Sequence, residues 1–365
     1  MEAAAPRATW LSALGHASKI ADPKSAYPAC HCVQLTVEGG RLRVRATDLM
    51  RFYEGTRPLT ASRPGGCCVD AHLLEKVIKA MPDEGEVIVR DERQTLSVAH
   101  STSRRKCSRI GTVPAEDHPS HPEATGEPRV LALATLHQIL RLTGFAQSSD
   151  NTRPHLNGLC LEWSGTALRV VATDGHRLAL AHVEAPSANA TTIIPRPAVE
   201  LLQKLPDEGE VTLAISRDHA RWSVGDDQWM TKTVDAAFPS WQQAVPSAHA
   251  GVVRCNRAAL LASLRSVSTM TSDRSKGVRL EPGDEGLTIR SSDPETGEME
   301  DSIPFECEGK LPAAWGVNAA YLIDVLNACT GDSIELQLTG ELDPMRVHDP
   351  SLGDAAVDVI MPMRI

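Results

Sequence analysis

One pentapeptide, Thr173-Asp174-Gly175-His176-Arg177, holds the residue types that acid–base chemistry needs. A histidine two residues from an aspartate can be a base with its orienting partner, or part of a metal site. Either role needs company. No cysteine or second histidine stands at ligand spacing nearby, and no G-x-S-x-G, H-E-x-x-H or P-loop pattern occurs in the chain. A related segment, Thr47-Asp48-Leu49-Met50-Arg51, keeps the aspartate and lacks the histidine. An aspartate shared without its histidine fits a turn cap that accepts backbone N–H bonds. The pattern favours a structural turn; the catalytic alternative is a β-rich hydrolase using Asp174 and His176.

The two turns belong to a larger repeat. LRVRATDLMRF from Leu42, LRVVATDGHRL from Leu168 and LTIRSSDPETG from Leu287 each alternate apolar and polar residues before Ser/Thr-Asp. Asp48, Asp174 and Asp293 stand 126 and 119 residues apart. A second marker recurs at the same period: VDAHLLEKVIKAMPDEGEVIV from Val69, IPRPAVELLQKLPDEGEVTL from Ile194 and VNAAYLIDVLNACTGDSIEL from Val317. Each predicts an amphipathic helix, a polar turn and a strand. Gly85, Gly209 and Gly331, 124 and 122 residues apart, are expected to close those helices in the left-handed conformation. Further helices are expected over Trp10–Ile20, Leu133–Phe145 and Arg257–Met270. Two agreeing markers predict three similar α+β domains, over 1–122, 128–246 and 250–365. Asp117–Pro128 and Pro246–Gly251, rich in proline and polar residues, are the expected linkers.

Composition agrees. A chain of 365 residues suits several domains of about 100–150 residues better than one core. Hydrophobic residues make up 42% and aromatics only 4%, so aliphatic side chains must fill the interior. With 47 acidic against 37 basic residues the formal charge is −10, which excludes a histone-like binder but not a locally basic surface. No run approaches the ~20 apolar residues of a membrane span. MEAAAPRATWLSALGHASKI lacks the pattern of a signal peptide, and nine scattered cysteines form no framework. A cytoplasmic protein is expected, without a metal or other cofactor.

Val171–Ala179 (VATDGHRLA), preceded by Leu156-Asn157-Gly158, together with the C-terminal Val359–Ile365 (VIMPMRI), resembles the bacterial sliding clamps, the β subunits of DNA polymerase III. The resemblance covers essentially the whole chain. It implies three clamp domains per protomer and a head-to-tail homodimer closed into a six-domain ring, with sheets outside and helices around a central hole. It implies a processivity factor that encircles duplex DNA without reading sequence. A ring holds DNA by topology, so its inner wall needs only diffuse attraction to phosphates. The implied partners are double-stranded DNA, the polymerase α subunit, an ATP-driven clamp loader, and other polymerases and repair proteins. A specialised second clamp for repair or inhibitor resistance is the nearest alternative.

The resemblance also assigns residues. A hydrophobic groove for a short linear motif would be walled by Leu156, Thr173, Gly175, His176, Arg177 and Leu178. Pro239 joins from Phe238-Pro239-Ser240-Trp241, and Val359, Met361, Pro362, Met363 and Arg364 join from the C-terminus. Methionines suit a site that must adapt to several partners; the bland alternative is that Met361, Met363 and Leu178 merely finish a core. Gln243 and Ala244 stand where the family commonly has Arg and Val, so a less basic, slightly larger groove is expected there. DNA-facing candidates are Lys24, Lys79, Arg141, Arg153, Arg196, Lys204 and Arg265, with Arg7, Lys19, Lys76, Arg257 and Arg274 beside them. Acids such as Glu84, Asp207, Glu208, Glu295, Glu298 and Glu300 sit in strand and turn regions instead. Ser108, Thr269 and Met270 fall at the implied protomer interface, and MEAAAPRAT shows no clear N-terminal strand.

Overall fold

A computed structural model describes residues 1–123, 125–271, 276–293 and 297–364, with the main chain alone over 103–106. Arg274, Glu295 and Ile365, named above, lie outside the described residues. Two compact units emerge, Met1–Val130 with Glu210–Thr233, and Leu131–Gly209 with Val234–Ile365.

The first unit carries helices α1 (Arg7–Ala17) and α2 (Ala71–Lys79) and a thirteen-stranded sheet. Its middle runs through antiparallel strands Asp227–Lys232, Arg51–Pro58, Arg41–Thr47 and Cys32–Glu38. In Cys32–Glu38 the alternation sends Val33, Leu35 and Val37 inward, as the period of two requires. Helix α2 buries Ala71, Leu74 and Ile78, one stripe at helical spacing, and Asp70 caps its start by accepting from the Leu73 N–H at 2.7 Å.

An N-terminal strand does exist. Glu2–Pro6 pairs antiparallel with Glu86–Glu92 on one side and with Ala61–Arg63 on the other, burying Ala3, Ala4 and Ala5. Alanine has little strand preference of its own, so the pairing comes from tertiary context and leaves no mark in the sequence.

The second unit holds α3 (Leu133–Thr143), α4 (Arg196–Leu202), α5 (Arg257–Val267) and α6 (Ala319–Ala328). One sheet orders Gly158–Thr173, Arg177–Pro195, Ala356–Ile360, Met345–His348, Ser333–Leu338, Gly251–Asn256 and Phe305–Gly309. A four-stranded sheet contains Gly297–Ile303, Gly286–Asp293, Gly277–Gly283 and Trp315–Asn318. Leu260, Leu264, Leu322, Leu326, Ile289 and Trp315 pack together in the core there.

The three glycines do not close helices as expected. Ala80, directly after α2, is still right-handed, while Gly85 and Gly209 are left-handed in the turns beyond. Gly331 is not left-handed; its N–H donates to Asp349 at 2.9 Å, and a Cβ there would meet Asp349 Oδ1 at 2.4 Å. Close approach, not helix closure, requires that glycine. The expected first linker is likewise no free tether, since His118 is buried and Gly126 lies against the backbone of Ile215.

Candidate functional site

The Thr-Asp turn is built from its own side chains. Thr173 Oγ1 donates to the Arg177 carbonyl at 2.6 Å, and Asp174 Oδ1 accepts the N–H groups of His176 and Arg177 at 2.9 and 3.1 Å. Gly175 stands at φ 92°, where a side chain is strained. The first repeat copies this turn: Asp48 Oδ1 accepts from the Met50 and Arg51 N–H groups at 3.0 and 2.5 Å. Asp174 is fully engaged as a cap, and His176 is exposed, stacked at 6.4 Å on the Tyr321 ring.

Arg177 locks the turn to its surroundings. Its guanidinium donates to Asp174 at 3.0 Å, to Asp324 at 2.6 Å and to the Phe145 carbonyl at 2.7 Å, and it lies 4.5 Å above the Tyr321 ring.

Leu178 stands directly opposite Val359 across the Arg177–Pro195 and Ala356–Ile360 strands. They join Val171, Leu180, Val357, Cys160 and Ile193 in one buried apolar cluster. Phe238, Trp241, Ala244, Val245 and Val234 pack on it, half-buried. Trp241 Nε1 is held by Glu162 at 2.9 Å. Met361, Pro362 and Met363 are half-buried beyond the strand, with Met361 N–H on the His176 carbonyl at 2.9 Å and Met363 N–H on the Gly316 carbonyl at 2.8 Å. The C-terminal methionines are thus neither core nor free. Leu156 is buried in its own loop and is no member of the cluster, while Pro239 and Arg364 are exposed. Val171, Leu180, Val357, Cys160 and Ile193 were missed by motif matching; the period-two alternation around Leu178 and Val359 is the signal that finds Leu180 and Val357.

Beside the groove sits an unusual acid. Asp358 is buried, and its Oδ1 has no hydrogen-bond partner among the described residues. Burial pushes its carboxyl well above the usual carboxylate range, against the pull of Arg177 and with a further push from Asp349. The folded chain therefore holds a proton there that the unfolded chain releases near pH 4. Stability contributed by that proton is fully present at low pH and is lost as pH rises through the carboxylate range towards the raised folded value. Asp358→Asn should accordingly raise the melting temperature at pH 8 by a few degrees and change it little at pH 4. A substitution that destabilises equally at both values would refute the buried-acid account.

Among the basic candidates, several are spent on structure. Arg7 donates to the Ile78 and Lys79 carbonyls at 3.2 and 2.8 Å, closing α2, and Arg257 donates to the Leu326 and Gly331 carbonyls at 3.1 and 2.7 Å, closing α6. Arg141 reaches the Ala328 carbonyl, and Arg265 donates to Asn327 at 2.9 Å. Lys79 pairs with Glu75 at 2.7 Å, Arg196 with Glu200 at 3.4 Å and Arg153 with Asp150 at 2.9 Å. Lys24 and Lys204 are exposed. Exposed i,i+4 pairs are weak and exchange readily for phosphate contacts, whereas helix-closing arginines do not. Ser108 lies half-buried opposite Val98, and Thr269 and Met270 form a short turn after α5.

Three family profiles together span the chain: the N-terminal domain of the DNA polymerase III beta subunit over residues 1–122, its central domain over 130–240 and its C-terminal domain over 242–364. The chain belongs to the DNA polymerase III beta subunit family. It is 31% identical to the beta sliding clamp of Pseudomonas aeruginosa over 366 residues, covering 98% of both chains. The Escherichia coli K12 clamp is 28% identical with 91% of each covered. The crystal structure of the P. aeruginosa beta subunit superposes with a TM-score of 0.94 at 29% identity, covering all of both chains. A griselimycin-bound structure of the P. aeruginosa clamp gives 0.93, again at 29% identity and full coverage. As a member of this family the chain is a non-catalytic sliding clamp with a three-domain α+β fold, and the hydrolase reading of Asp174 and His176 falls away. The same whole-chain likeness gives the specialised second-clamp reading no support. Among the described residues no helix is long and apolar enough to cross a membrane.

Proposed function

We propose that this clamp subunit works in the cytoplasm as a head-to-tail homodimeric ring around duplex DNA, with clamp domains over 1–122, 128–246 and 250–365. Polymerase α subunit, clamp loader and repair proteins would dock a linear motif against the Leu178–Val359 cluster, between His176 and the C-terminal methionines. The observation that carries this reading is that cluster: a buried apolar floor with a half-buried Met-Pro-Met lip, tied to an exposed turn by one backbone bond. Griselimycin binding by the P. aeruginosa clamp supports a ligand site in this family. Lys24, Lys79, Arg153, Arg196 and Lys204 would meet phosphates, with smaller roles for Arg141 and Arg265, and Ser108, Thr269 and Met270 would lie at the protomer contact.

Enclosure is not an ion-exchange equilibrium, so a closed ring should resist salt once loaded. After loading, the protein should remain on nicked circular DNA in high salt and leave within moments of linearisation. Retention that is equal on circles and linear DNA, and equally salt-sensitive, would overturn the ring.

A further inference from the structure

Three strands carry the apolar floor of the groove on to a second, polar site. Val359 of the floor stands opposite Arg346 on Met345–His348, and Arg346 stands opposite Gln337 on Ser333–Leu338. Directly opposed residues share one face of a sheet, so Val359, Arg346 and Gln337 form a row on the groove side. The chain reaches the same place from the other direction. Val245 packs on the floor cluster, and Pro246, Ser247, Ala248 and His249 follow it. This segment is pinned: the Ala248 carbonyl accepts from Thr339 Oγ1 at 3.2 Å, and the Ala250 N–H donates to the Leu338 carbonyl at 2.8 Å. A cavity of about 260 Å³ is lined by Pro246, Ser247, Ala248, His249, Gln337 and Arg346.

Two of those six side chains carry buried polar atoms without a partner. Arg346 Nε and Gln337 Oε1 make no hydrogen bond among the described residues, and Gln337 is only 9% exposed. Such atoms are costly to bury unless something binds them. The amide cannot relieve itself by turning over. Its Nε2 donates to Glu335 at 3.2 Å, and a flip would set oxygen against that carboxylate. Arg346 makes no ion pair with any described residue. Glu335, two residues before Gln337, is taken by Arg254 at 2.7 Å, and neither it nor any other acid lines the cavity. One guanidinium is therefore unbalanced, and beside it stands one acceptor in need of a donor.

We propose that this cavity is a subsite for one acidic residue of the linear peptide docked in the neighbouring groove. The carboxylate would take the Arg346 guanidinium, and the backbone N–H of the same peptide residue would donate to Gln337 Oε1. A peptide supplies both groups. A free carboxylate ion supplies acceptors alone and leaves the Gln337 oxygen unpaired. Reach follows from register, because neighbouring strands lie about 4.7–4.9 Å apart and Arg346 is one strand from Val359. The inference rests on the groove reading above and selects among its partners, favouring those with an acid flanking the apolar anchor.

The probes are acetylated and amidated Gln-Leu-Val-Leu-Phe peptides, one with Glu-Gly added before the glutamine and one with Gly-Glu added after the phenylalanine. Each is titrated into the full-length protein beside its counterpart with Gln for Glu. At least one acidic peptide should bind about tenfold tighter than its counterpart, as a charge-assisted bond to a half-buried guanidinium should give. Arg346→Met should remove that preference and leave the affinity of the neutral peptides unchanged. Ser247→Asp, at an exposed residue, puts an acid into the cavity wall and should remove it too, so a misfolded Arg346→Met would not decide the matter. Sodium acetate alone should show no saturable binding. Equal affinities within both pairs, or a preference that survives both variants, would overturn the subsite and leave the groove standing. Saturable acetate binding that Arg346→Met abolishes would make this a free-anion site and overturn the peptide assignment. If no peptide binds, the groove reading fails and this inference with it.

Discussion

Removal of residues 361–365 should weaken binding of a clamp-binding linear peptide by roughly a hundredfold or more. Apolar anchors at such sites carry on the order of 1–3 kcal/mol each, and about 1.4 kcal/mol is a factor of ten. Met361 and Met363 are half-buried, so each keeps apolar surface that a ligand would cover. The truncation also removes two backbone bonds, Met361 to His176 and Met363 to Gly316. Part of the loss would then come from a looser His176 turn, not from missing contacts. The double variant M361A/M363A keeps both bonds and should lose less, about tenfold. His176→Ala should lose least, as one exposed wall residue. The measurement is titration of a labelled peptide, with native mass checked for each variant. Unchanged affinity in a truncated chain that stays dimeric would show that the C-terminus is structural and that the groove lies elsewhere.

Much of this arrangement was legible before any coordinates. The Thr-Asp turns could be read because threonine, aspartate and a following Gly or Leu determine a local hydrogen-bond pattern, which both copies form. The repeat could be read because two local motifs kept one period. What escaped the sequence is non-local. The Ala3–Ala5 strand exists through neighbours some 55 and 85 residues away in the chain, as Ala4 pairs with Ala61 and with Ile88. Gly331 serves Asp349, 18 positions on, and its helix context suggested the wrong reason for it. Arg7 and Arg257 have the charge of DNA-facing residues, but each opens a helix whose partner helix ends beside it, and the unsatisfied carbonyls there claim the guanidinium. Charge counts could not make that distinction.

Arg177→Ala should cost about 2–3 kcal/mol of stability and loosen the groove together. The side chain is only 11% exposed in its pair with Asp174, and it joins three separate elements through Asp174, Asp324 and the Phe145 carbonyl. Breaking a buried pair typically costs about 3–5 kcal/mol because a charge is left without compensation. Here the penalty is smaller: Asp324 is 43% exposed and regains water, and Asp174 keeps two backbone N–H donors. The Tyr321 ring and the Phe145 carbonyl get no such relief. Arg51 provides the internal control. It sits in the same Asp-x-x-Arg turn but has Asp48 as its ion-pair partner and none of these further contacts, so Arg51→Ala should cost under about 1 kcal/mol. Arg177→Lys should recover less than half, since an ammonium cannot span three acceptors held in a planar fork. For a unit of this size each kcal/mol moves the melting temperature by about 2–4 °C, so the two alanine variants should differ by several degrees. Peptide affinity should fall in Arg177→Ala and not in Arg51→Ala, because only the former frees the His176 wall. Thermal unfolding and peptide titration of the pair decide it: equal melting temperatures with equal affinities would mean that Arg177 is no more than a turn residue, and that the wall of the groove is held by the strands alone.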